Sequence, residues 1–452
     1  MEHLLKAIVR VHSYGKTVDF CKPFVDMERE GAVGTGTFVD PRVFDLPAQP
    51  HTLYILTCAH VIDKADQVTI VLPLKGSEQL EASVVAFVPK YNYDLAIVAL
   101  PNKDGQYNRY INTLPLGSSK KLQQGQKLMA LGFPMGQTGL KMSDGVFAGM
   151  QHYLQHTVSI SPGNSGGPLI NEAGELVGIN NAGLTHVAAS NIGYAVPVEL
   201  YVLSAKRLFS KPLGPPSPDR VVREPSFGFF LQPTTTEHVQ QIATVSSEGC
   251  CSSGMFIFEV VPDSPAALAG IEPGDFLCAA EDRPVDNTGD IQVSWSAQKV
   301  PIKTALQRLS DPEQQYTFTI WSHSQRQCTK VQLSPRVLDK NAAKYIYSPF
   351  EAVEYLDLKG FIVMPLCRNH QETIQTLYAV LKLTPVQRFQ PHLVITHVVP
   401  GSPAHLSETF GAGDLLTHVN NQPVSTLDQV RNIVQQQSHY TLKTDRGKTT
   451  AL

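Results

Sequence analysis

The sequence has no long apolar run, no block of like charges and no paired cysteine motif, and each absence closes off a class of function. The opening segment Met1–Arg10 breaks its apolar residues with Glu2, His3, Lys6 and Arg10, so it is expected to be neither a signal-peptide core nor a membrane span. A formal net charge of -3 without a Lys/Arg run offers no electrostatic footprint for a nucleic-acid backbone or an anionic membrane. The 7 cysteines, at 21, 58, 250, 251, 278, 328 and 367, contain no CxxC pair. Neither a zinc site nor a disulfide framework is suggested, and free thiols in the cytoplasm or another reducing intracellular compartment are expected. Cys58 and the adjacent Cys250 and Cys251 read as small buried hydrophobes.

What is present is ordinary folded-protein composition, with 42% hydrophobic and 17% charged residues, over 452 residues. That length predicts about three domains. From Ala7 to about Pro197 the chain runs in short, nearly alternating apolar stretches such as Ala7–Val11, Leu53–Thr57, Val68–Leu72 and Leu95–Leu100, punctuated by Gly, Pro and Asn. No helix-length periodic segment interrupts them, which excludes a parallel sheet with crossover helices and predicts a double β-barrel. Val198–Phe209 has helical spacing and is expected to cap that domain, which spans 1–210. The proline-rich stretch 211–224 reads as a linker, because proline lacks the N–H and fixes φ. Beyond it, Val260–Ala266 recurs as Val398–Ala404, Gly274-Asp275 as Gly413-Asp414, and Pro284-Val285 as Pro423-Val424. Two copies of one α+β module therefore occupy 225–337 and 338–452, each with a helix candidate, Ile302–Leu309 and Leu427–Gln435.

Three strings carry chemistry. In Ser161–Leu169 a serine, Ser165, is flanked by glycines on a tight turn whose N–H groups can converge on a developing oxyanion. Gly163 and Ser165 are the expected donors, with Asn164 between them in the oxyanion turn. His60 follows the apolar run Leu53–Thr57, and Asp94 directly precedes the buried run Leu95–Leu100. The chain order His, Asp, Ser is that of the chymotrypsin-type barrels, not of subtilisins or α/β-hydrolases. In that arrangement His60 takes the Ser165 proton, Ser165 attacks a peptide carbonyl, and Asp94 fixes the imidazole tautomer.

Gly34–Val39, Thr57–Val61, Asp94–Val98, Leu131–Gly136, Gly163–Pro168 and Ile192–Pro197 resemble, in that order, the HtrA/Deg serine proteases, and the two C-terminal modules are similar to that family's PDZ domains. The resemblance implies an ATP-independent quality-control or processing endopeptidase that needs no cofactor, assembles as trimers or multiples of trimers, and acts on unfolded or C-terminally exposed proteins. The chain departs from the family pattern in reading Gln155-His156-Thr157-Val158 where an aspartate usually follows Gln-Thr. The segment Ala148–Gln155 is also short for a regulatory loop.

Six residues before the nucleophile stands Ser159, not an acid, and with Ile160 it predicts cleavage after small or medium apolar side chains. In the modules, Phe227-Gly228-Phe229-Phe230 and Gly360-Phe361-Ile362 each set a glycine before an apolar strand, the pattern of a loop that captures a C-terminal carboxylate. Gly136–Lys141 imitates a phosphate loop, but Leu140 separates Gly from Lys. His152, His156 and His186 lack the spacing of a metal site. Two other functions are compatible with the same residues: a non-proteolytic chaperone or PDZ scaffold, and a narrowly specific processing protease.

Overall fold

The computed structural model describes residues 2–452 apart from 91, 182–191, 212, 236–250, 297, 339–342, 371–382, 436 and 438. The predicted strands of the N-terminal half form two closed antiparallel barrels. The first contains β1 (Ile8–Lys16), β2 (Arg29–Val39), β3 (Thr52–Thr57), β4 (Gln67–Val71), β5 (Leu80–Val88) and β6 (Leu95–Pro101), closed in the order β1-β2-β3-β6-β5-β4. The second contains β7 (Lys127–Gly132), β8 (Lys141–Met150), β9 (Leu154–His156), β10 (Pro168–Asn171), β11 (Leu176–Asn180) and β12 (Gly193–Pro197), closed as β10-β11-β12-β9-β8-β7. β6 reads as an unbroken apolar run because it is buried on both faces except at Pro101. One face looks into its barrel and the other toward the helix Val198–Phe209, which buries Leu200, Tyr201, Ala205 and Leu208. The two barrels share one core: Leu131, Phe133, Ile170 and Val196 pack in the same cluster as Ile8, Ile55, Leu56 and Val98. The site described below lies across the interface this core fills.

Among its described residues, the segment expected as a linker holds no helix longer than the single turn Pro218–Arg220, but it does not hang free. Arg220 is buried and donates to the carbonyls of Val85 and Pro215, 3.0 and 2.7 Å away, while Val222 N–H donates to Phe87 O in β5 at 2.8 Å. A buried guanidinium satisfied by backbone carbonyls pins this strand of chain to the barrel wall.

Both downstream repeats form antiparallel sheets. The first runs β13 (Phe229–Gln232), β14 (Met255–Val260), β15 (Phe276–Ala280), Tyr316–Ser322 and Gln327–Leu333, with the predicted helix at Ile302–Arg308. The second runs Leu356–Leu358, Phe361–Pro365, Leu393–Val398, Leu415–Val419, Thr441–Thr444 and Thr449–Ala451, with its helix at Leu427–Val434. The repeated serines do the same work: Ser264 and Ser402 cap short helices by accepting from Ala267 N and His405 N. The second sheet has an additional edge strand, Leu356–Leu358, for which the first has no counterpart among the described residues.

The cysteine expectation is corrected. Cys251 and Cys278 are joined in a disulfide, Cys328 is also disulfide-bonded, and Cys58 and Cys367 are free thiols. Sequence spacing hid the pair because its members are 27 residues apart, whereas the fold brings their Cα atoms to 5.3 Å, ordinary bridging distance. Cys58 is buried as expected; Cys250 lies outside the described residues.

Candidate active site

The three residues singled out by sequence meet at the seam between the barrels. His60 sits on the single turn Ala59–Val61 after β3, Asp94 ends the turn before β6, and Ser165 lies just before β10. Ser165 Oγ is 2.9 Å from His60 Nε2, and His60 Nδ1 is 2.6 Å from Asp94 Oδ2. Asp94 Oδ1 also accepts from His60 N–H at 2.8 Å, so one carboxylate holds both the backbone and the ring of the histidine. With Nδ1–H directed at the carboxylate, Nε2 presents its lone pair to the serine hydroxyl, the tautomer that general-base catalysis requires. Burial opposes charging of His60, but the hydrogen bond and charge of Asp94, reinforced by Asp63, outweigh it and raise the imidazole pKa above its ordinary value. Asp94 has φ 56°, an uncommon left-handed setting for a residue with a side chain.

Two residues that sequence reasoning passed over complete the array. Asn181, at the end of β11, donates from Nδ2 to Asp94 Oδ2 at 2.6 Å and is itself buried. Thr35, in β2, reaches across the seam: its N–H donates to Ser165 O at 2.8 Å, and its hydroxyl donates to Gly163 O at 2.7 Å and accepts from Phe133 N–H at 3.1 Å. The serine turn is thus fixed by the other barrel. Gly163 takes φ 96° and Gly166 φ 86°; a Cβ on Gly166 would stand 2.2 Å from Thr35 O. Both glycines are demanded by the backbone. Asn164, placed in the same turn by the sequence reading, donates its N–H to Ser161 O at 3.0 Å. Cys58 lies close enough to His60 and Asp94 to complete a metal-like trio. However, its thiol contacts Asn180 O and burial pushes its pKa far up, so it stays a neutral packing group.

The other predicted residues are more scattered. Ser159 is exposed, and Ile160 is half-buried against the second-barrel core. His156 is fully buried, with its pKa lowered to about 4 by desolvation, so the departure from the family pattern is an uncharged core histidine. The short turn between β8 and β9 brings His152 and Tyr153 to Asn92 O, two residues from Asp94. His186 lies outside the described residues. In the first repeat Phe227 is core, Gly228 has φ 90°, and Phe229 and Phe230 lie in β13, paired to β14 on one edge. In the second, Gly360 has φ 105°, and Phe361 and Ile362 are buried between two strands.

Comparison with known proteins agrees with this geometry. Residues 34–179 match a family model described as a trypsin-like peptidase domain, and 394–444 match one described as a PDZ domain. A protein of Pseudomonas savastanoi pv. phaseolicola named probable periplasmic serine endoprotease DegP-like is 26% identical over 393 residues, covering 84% of this chain and 71% of the relative. The serine endoprotease DegS of Haemophilus influenzae is 32% identical over 238 residues, covering 50% of this chain and 60% of the relative. Among solved structures, HtrA-type protease AlgW with decapeptide superposes with a TM-score of 0.51 at 20% identity, over 74% of this chain and 95% of that one. At that identity the likeness speaks for the fold. The expected cytoplasmic or other reducing compartment is overturned, since the Pseudomonas relative is named periplasmic and this chain carries a disulfide, a bond that persists in oxidising surroundings. A trypsin-like peptidase match over the barrel pair, a PDZ match near the C-terminus and relatives that carry the Deg names make this chain similar to the HtrA-type serine proteases.

Proposed function

We propose that the protein is an ATP-independent serine endopeptidase acting on unfolded or C-terminally exposed proteins, in an oxidising compartment such as that named for its Pseudomonas relative. The observation that carries the reading is the unbroken chain of hydrogen bonds from Asp94 through His60 to Ser165. An idle scaffold has no need of such an array. His60 removes the hydroxyl proton as Ser165 Oγ attacks the scissile carbonyl. The carbonyl oxygen, now negative, is received by Gly163 N–H and Ser165 N–H, and the proton passes to the leaving amine. Water, deprotonated by the same imidazole, then releases the acyl group. Asp94 holds the imidazole by its hydrogen bond to Nδ1 and stabilises the imidazolium.

In this reading residues 1–210 are the protease domain, 211–224 its connection, and 225–337 and 338–452 two PDZ-like domains. β13, with Gly228 ahead of it, receives substrate C-termini. Ser159 and Ile160 favour small or medium apolar residues before the cut, and the working assembly is a trimer or a multiple of it. The test is degradation of an unfolded protein such as reduced β-casein beside a Ser165→Ala variant. The parent cleaves, chiefly after Val, Ala, Ile or Leu by mass spectrometry, and the variant, still folded by circular dichroism, does not. Equal cleavage by both would refute the assignment of the nucleophile.

A further inference from the structure

The two downstream sheets differ at the edge where a peptide would be added. In β-strand addition, an extended ligand lies antiparallel to the strand that follows the carboxylate loop, between that strand and a helix. Its last side chain and the one two residues earlier point inward, and the intervening one points out. In the second module that place is filled. Leu356–Leu358 pairs antiparallel with Phe361–Pro365, matching Leu356 to Val363, Asp357 to Ile362 and Leu358 to Phe361. Its direction is that of a ligand, with the C-terminal residue Leu358 at the loop.

The side chains follow the same code. Leu358 is buried with Phe361, Val363, Leu427 and Val430, Leu356 packs against that cluster, and Asp357 is exposed. Two residues before Leu356, Glu354 bridges to Arg431 on the helix Leu427–Val434 at 3.1 Å. The segment therefore touches both walls of the groove. Lys359 and Gly360, at φ 52° and 105°, make the two-residue turn that returns the chain into the sheet. The first module is built otherwise. Ser226, the counterpart of Leu358, turns away to pair with Arg336, and β13 has no strand on its outer edge among the described residues.

We propose that Glu354–Leu358 is an internal ligand that closes the peptide groove of the second module. The proposal rests on the PDZ character of that module. The chain just before this segment is also fastened to the first barrel, where Tyr347 and Phe350 pack against Phe87, and to the connecting segment, where Glu351 bridges to Arg223 at 2.6 Å. Filling the groove in cis thereby docks the second module on the protease. A tethered ligand acts at an effective concentration on the order of millimolar, so free peptides at micromolar levels do not displace it.

The experiment uses the full chain with Ser165→Ala to prevent cleavage, and a fluorescent, photo-crosslinking peptide with the sequence of residues 351–358 and a free C-terminal carboxylate. Crosslinks are mapped to residues by mass spectrometry. In the otherwise unchanged chain no crosslink falls on Phe361–Pro365 or Leu427–Val434. Leu356→Asp, which sets a charge in the groove, gains one equivalent of peptide there, bound at least tenfold more tightly than by the parent. Glu354→Lys, a surface change that repels Arg431 and leaves the core intact, gains the same site more weakly. Crosslinks to either element before mutation, or a folded Glu354→Lys chain that gains nothing there, would overturn the internal ligand. Crosslinks at Phe229–Gln232 report on the first module separately and do not enter this count.

Discussion

At the scale of single residues, Asn181 offers a sharp test of how the array is held. It donates one of the hydrogen bonds to a buried carboxylate, and a bond to a charged group contributes about 1.5–3 kcal/mol. If that bond orients Asp94 for the step at Ser165, Asn181→Ala lowers kcat by roughly ten- to a hundredfold with little change in KM. A fall in KM-limited binding alone would assign Asn181 to substrate contact instead. The pH profile tests His60. Only the neutral imidazole accepts the serine proton, and Asp94 raises the His60 pKa above the ordinary 6.5. The sign is therefore that kcat/KM increases with pH and reaches half its plateau above 6.5; a profile already flat at about pH 5.5 would contradict the assigned base. His60, Asp94 and Ser165 could be read from sequence because each lies in a short string whose neighbours report its local backbone. Asn181 and Thr35 could not. An asparagine after a buried strand is also an ordinary turn residue, and Thr35 matters only because the second barrel lies across from it.

At the scale of elements, the repeat announced its two longer helices, found at Ile302–Arg308 and Leu427–Val434, because their spacing is a local signal; the short helices capped by Ser264 and Ser402 are too brief to carry one. It did not announce the disulfide or the added strand. Both depend on which strands become neighbours, and Leu-Asp-Leu is too short an alternation to signal a strand. The Cys251–Cys278 bridge closes a loop that contains β14, and on loop-entropy grounds such a bridge contributes about 2–4 kcal/mol. Cys278→Ser accordingly lowers the denaturant midpoint of the first module's unfolding, followed by Trp321 fluorescence, while hydrolysis of a short peptide by the barrels continues. An unchanged midpoint would mean that the surrounding cluster of Phe276 and Trp321 holds this part of the sheet without the bridge.

At the scale of the whole molecule, the expected division into a barrel domain, a linker and two modules understates how the parts are joined. Tyr347 and Phe350 belong to the core of the first barrel although they come from the start of the last module. Phe350→Ala therefore destabilises the protease half by about 3–5 kcal/mol, as deletion of a buried aromatic does elsewhere, and a chain cut near residue 224 loses the same packing. Chemical denaturation of the barrels checks both, and stability equal to the parent's would show the contact to be superficial.

The position of Phe350 also sets a timetable for synthesis. The barrel it seals begins at Ile8, and at roughly 5–20 residues per second a ribosome needs about 20–70 s to make the ~340 residues between them. During that interval the nascent protease half carries an unsealed flank at Phe87. The barrel reaches its finished form only after residue 350 has been made, and a product terminated before that point is left with an apolar scar by which quality control can recognise it.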